Sequence, residues 1–137
     1  MRLTILTAAI TGIATRCPAD PRPEAAESPV PRGQVTALQG VVERGVPMDL
    51  VENVVDARLW ELEQCYDVRL SDDPALSGRL DLGWSLRDGH VDGRPYVIDA
   101  SSSDPRLAAC VIDRVRGWRF PSDATGDVAW RIVFTAR

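Results

Sequence analysis

Lysine is absent from this sequence, and its 16 basic residues are all arginine. Twenty Asp and Glu outnumber them, for a net charge of −4. No arginine cluster forms a phosphate-binding motif, and an acidic chain is a poor match for a nucleic-acid backbone. Histidine occurs once, at His90, which rules out a site built from several histidines. The three cysteines, Cys17, Cys65 and Cys110, show no C-x-x-C spacing, so a zinc knuckle and a thioredoxin-type motif are excluded. No apolar run reaches the roughly 20 residues needed to span a bilayer. No internal repeat is evident, and 137 residues suit one domain with a short appendage.

What the first residues do offer is an export signal. Arg2 precedes an uncharged run from Leu3 to Ala14, and small residues at its end suit cleavage. Residues 1–17 are therefore expected to be a signal peptide. Cys17 follows directly, so a lipoprotein signal with lipidation at Cys17 is the alternative, although Arg16 stands where a lipobox has a small residue. Either way the expected location is periplasmic or secreted, and a membrane enters only if Cys17 is lipidated. Residues 18–33 hold five prolines and no apolar periodicity, which reads as an extended linker. The folded domain is then 34–137.

Within it, Val35, Ala37 and Leu38 suggest at most a short strand broken at Gly40. From Pro47 onward Val51, Val54, Val55, Leu59, Leu62 and Tyr66 recur at helical spacing, with Cys65 near the end of the stripe. The period then changes to two. Leu80, Leu82, Trp84 and Leu86 share one face of a strand, Asp88-Gly89 turns the chain, and Pro95 marks the returning strand as an edge or a bulge. Asp104 and Pro105 open a second helix, Gly117 closes it, and Val128, Trp130, Ile132 and Phe134 alternate along a last strand.

The order helix, strand, strand, helix, strand predicts an α+β fold of two layers, with both helices on one face of a three-stranded antiparallel sheet. Cys65 and Cys110 are the two cysteines of that core. In an exported protein they are expected to form a disulfide, worth about 4 kcal/mol on the chain-entropy model. In a reducing compartment they would instead be two buried thiols.

Several segments together resemble a known family. They are Cys65-Tyr66, the strand and turn "PALSGRLDLGWSLRDGHV", the serines before the second helix, Cys110, and Trp118-Arg119-Phe120-Pro121. In this order, over roughly residues 40 to 136, they resemble the AgmX/PglI C-terminal domain family. The resemblance implies a fold similar to the C-terminal domain of TonB energy transducers. It also implies a non-enzymatic cell-envelope module, connected with envelope transport or gliding motility, with another envelope protein as partner. It makes the last strand, with Val128, Trp130, Arg131, Ile132 and Phe134, the candidate edge for strand addition. The alternative is that segment 34–45 or the linker covers that edge.

Catalysis and metal binding have weaker signals, and no catalytic residue, cofactor or metal ligand is assigned. Ser101, Ser102 and Ser103 precede a helix, where serines cap. Asp88, His90, Asp92, Gly93 and Asp99 mimic calcium-loop spacing, but strands rather than helices flank them. The alternative function, a small secreted metal-binding protein or enzyme, rests on these residues alone.

Overall fold

The structure is a computed structural model describing residues 32–102 and 104–136. Residues 1–31, and with them the expected signal peptide, Cys17 and nearly all of the linker, lie outside the described residues, as does Ser103.

The elements run β1 (Gly33–Val42), α1 (Met48–Asp72), β2 (Gly78–Arg87), β3 (His90–Ala100), α2 (Pro105–Arg116) and β4 (Gly126–Ala136). The fold is α+β, with two helices on an antiparallel sheet. The period-two segments form strands and the helical stripes form helices, for the reasons their spacing gives. α1 buries Val51, Val55, Leu62, Cys65, Tyr66 and Leu70, and α2 buries Leu107, Val111, Ile112 and Val115. Both stripes meet the inward rows of β2 and β4 in one core. Within it Trp84 meets Trp118 edge to face at 6.3 Å, and Tyr66 meets Phe134 at 5.2 Å.

Asp88 and Gly89 take φ of 50° and 79°, the positive pair of a tight hairpin turn whose twist matches its strands. Phe120 N–H donates to Gly89 O at 2.8 Å and Gly89 N–H to Ala124 O at 2.9 Å. The β2–β3 turn is thereby fastened to the segment leaving α2. The aromatic exit after Gly117 closes this end of the core: Trp118 and Phe120 are buried, and Trp118 Nε1 donates to Glu61 on α1 at 2.7 Å.

The sheet differs from expectation in one respect. It has four strands in the order β1-β4-β2-β3, not three. Gly33–Val42 forms a full strand paired with β4 from Gly33↔Ala136 to Val42↔Val128, with an irregularity between Leu38 and Val41. The physical reason is burial: Val35 lies opposite Phe134 and Ala37 opposite Ile132, so this strand extends the apolar face that α1 covers. Its backbone also satisfies the second row of β4 donors and acceptors, which a three-stranded sheet would leave unpaired.

Candidate functional site

β4 is consequently an inner strand, flanked by β1 on one side and β2 on the other. The expectation that Val128, Trp130, Arg131, Ile132 and Phe134 line a free edge is corrected on that ground. Four of these side chains are buried in the core, and Arg131 lies on the helix-free face, bonded through Nε and Nη2 to Asp81 at 2.8 and 3.0 Å. Of the alternatives weighed from the sequence, the covering segment is the one observed.

The sheet edges are β1 and β3. On the outer side of β3 the described residues contribute a single bridge, His90↔Arg119, at its first residue. Beyond it the strand carries three consecutive exposed apolar side chains, Tyr96 at 54%, Val97 at 38% and Ile98 at 54% exposure. Successive strand residues face opposite sides, so this run is open on both faces of the sheet. An edge with those properties is what globular proteins ordinarily blunt with charge, proline or a covering element. Here Pro95 precedes the run, Asp99 ends it, and the β2–β3 register shifts on either side of Tyr96-Val97, so the blunting lies at the ends of the run. Tyr96 is seated in this position by Gly83, directly across on β2, where a Cβ would come within 2.5 Å of the phenol ring.

The sequence marked β3 as an edge through Pro95 but put its candidate for strand addition on β4. The signal for the exposed run is "PYVID", three β-forming apolar residues in a row where the alternation predicts a polar one.

On the helix-free face, register sets Leu38, Arg131, Asp81 and Asp99 in one cross-strand row and Val41, Ala129, Gly83 and Tyr96 in the next. A depression of about 490 Å³ lies among Leu38, Val41, Ile98 and Ala129 beside the Asp81–Arg131 pair. Arg131 hydrogen bonds hold the Asp81 carboxyl below the usual carboxylate range, against a smaller opposing effect of burial, and the same bonds push the Arg131 guanidinium up. Arg79 binds Asp99 at 2.8 Å. The charges in the middle of this face are thus neutralised in place, leaving the apolar rim as its exposed character.

In the helix layer Cys65 and Cys110 are joined in a disulfide, with Cα atoms 5.8 Å apart. It lies at the bottom of a groove of about 820 Å³ between α1 and α2. The remaining sequence candidates are dispersed. Arg119 donates to His90 Nδ1 at 2.6 Å, Asp92 pairs with Arg87 at 3.5 Å, and Asp99 is held by Arg79. Ser101 Oγ accepts the Arg79 N–H and Ser102 Oγ the Asp104 N–H, both serving the loop before α2. Among the described residues no group of three His, Cys, Asp or Glu side chains is arranged to hold a metal ion. No described helix is long and apolar enough to cross a membrane.

Compared with family models, with characterised proteins and with solved structures, the chain matches none.

Proposed function

We propose that this protein is a non-enzymatic interaction module of the bacterial cell envelope, with a TonB C-terminal-like arrangement of its elements, that binds another envelope protein by accepting a strand on the β3 edge. The observation that carries the reading is the open run Tyr96-Val97-Ile98 on a strand with one free side. Backbone groups along that side give affinity to any extended chain, and the exposed side chains on both faces give it a preference for apolar residues. The interhelical disulfide supports an oxidising compartment, where such a bridge persists, and the expected signal peptide agrees with it. The AgmX/PglI resemblance supplies the setting, envelope transport or gliding motility.

Ile98→Lys tests the mode of binding. It places a charge on the edge at a residue already exposed, so the fold is expected to survive while strand addition is lost. Envelope proteins retained by the wild-type chain should be retained at least about tenfold less by the variant. In hydrogen exchange, amides of residues 96–100 should slow when the partner is bound. Equal retention by a folded Ile98→Lys variant, with unchanged exchange at 96–100, would remove the β3 edge from the function.

A further inference from the structure

The groove between α1 and α2 has an unusual distribution of charge. Its floor is the Cys65–Cys110 disulfide, and Val68 stands on the α1 rim with 67% exposure. The α2 rim carries Arg106 and Arg114 on either side of Cys110, four residues away each. That spacing sets both on one helix face, about 12 Å apart. Neither guanidinium has an ion-pair partner among the described residues. The α1 rim carries Asp67 and Asp72, with Arg69 drawn between Asp104 at 3.0 Å and Asp72 at 2.8 Å.

An α2 rim of two arginines facing an α1 rim of two carboxylates and one arginine, anionic by one charge, across an apolar floor is poorly matched to a segment of one charge sign, which one wall attracts and the other repels. It is matched to itself. A two-fold axis along the groove would lay each copy's α2 rim over the other's α1 rim, Arg106 and Arg114 against Asp67 and Asp72, with each Val68 turned toward the other's disulfide floor. We propose that this groove is the interface of a homodimer, with a second copy of the chain as its occupant. The inference goes beyond the β3-edge reading and does not depend on it, because the groove lies in the helix layer and the edge in the sheet.

The test is sedimentation equilibrium of the full oxidised chain with two variants, each of which inverts the net charge of one rim. One carries Arg106→Glu and Arg114→Glu. The other carries Gln64→Arg and Asp72→Arg, sparing Asp67 because its carboxylate accepts the Gly33 N–H at 2.8 Å. The wild type is expected to dimerise, more weakly as salt rises, since the rim charges are exposed to screening. Each variant alone should dimerise at least about tenfold more weakly. An equimolar mixture should recover association, because both halves of the mixed interface again pair opposite charges. Val68→Arg, which touches no ion pair, should weaken association as well. A wild type that stays monomeric up to roughly 1 mM overturns the proposal. So does a dimer indifferent to all these changes, or a mixture of two folded variants that regains nothing. If Ile98→Lys alone dissolves the dimer, association runs through the β3 edge and the groove is not the interface; loss of partner retention in that variant with the dimer intact separates the two readings.

Discussion

The carboxylate of Asp104 accepts the backbone N–H groups of Arg106 and Leu107 through Oδ1, at 2.9 and 3.0 Å, and Arg69 Nε through Oδ2 at 3.0 Å. Burial works to raise this carboxyl. The Leu107 amide, the Arg69 bond and charge, and the Arg106 amide outweigh it and hold the group below the ordinary range. One side chain therefore caps α2 and ties its start to α1. Asp104→Ala is expected to lower the unfolding free energy by about 1–2 kcal/mol, and Asp104→Asn by less, since asparagine caps but carries no charge for Arg69. The pH dependence follows from the direction of the shift. On acidification the unfolded chain takes up this proton first, near its ordinary value of about 4. The contribution is therefore complete above that value and is lost as pH falls through the lower folded value. Calorimetric melting should show a gap between wild type and Asp104→Ala that is narrower near pH 3 than near pH 7. The cap was legible in "SDP" because capping is local. Its Arg69 partner was not, because it comes from 35 residues away on another helix.

At the scale of elements, the disulfide is the cross-link between the two helices, and it closes a separation of 45 residues. Replacing both cysteines by serine should cost about 4 kcal/mol on the chain-entropy model, read as a lower denaturant midpoint with a somewhat steeper slope, since the unfolded chain loses its cross-link and expands. Non-reducing peptide mapping should find Cys65 and Cys110 in one linked pair. Equal stability of the oxidised and double-serine chains would show that the bridge constrains nothing. Both helices, β2 and β4 were legible because each keeps its period, and β3 was legible as the return from the Asp88-Gly89 turn. β1 was not. Its inward residues Val35 and Ala37 fall out of step with Val42 across the irregularity after Leu38, so the pattern reads as a fragment. Missing β1 is also what made β4 read as an edge. Alternation assigns a strand its two faces, but its neighbours depend on pairing with residues up to a hundred positions away, as in Gly33↔Ala136.

For the molecule as a whole, the sheet order β1-β4-β2-β3 has a consequence in time. The strand at the middle of the sheet is the final element of the domain, and the first strand has no place to pair until that strand arrives. As the chain is made, β2, β3 and the two helices can gather early, and Cys65 and Cys110 can oxidise among them. β1 must wait beside an unfinished sheet, with Val35 and the inward face of β2 still in water. Contacts of such long range favour slow folding. A chain ending before Gly126 should therefore form the Cys65–Cys110 bridge yet lack the near-ultraviolet signature of packed Trp84 and Trp118, which a chain continuing through Ala136 acquires. A truncated chain with the full aromatic signature would show that assembly does not wait for β4. On this order of events the domain closes like a latch, in which the arrival of the last eleven-residue strand captures the first.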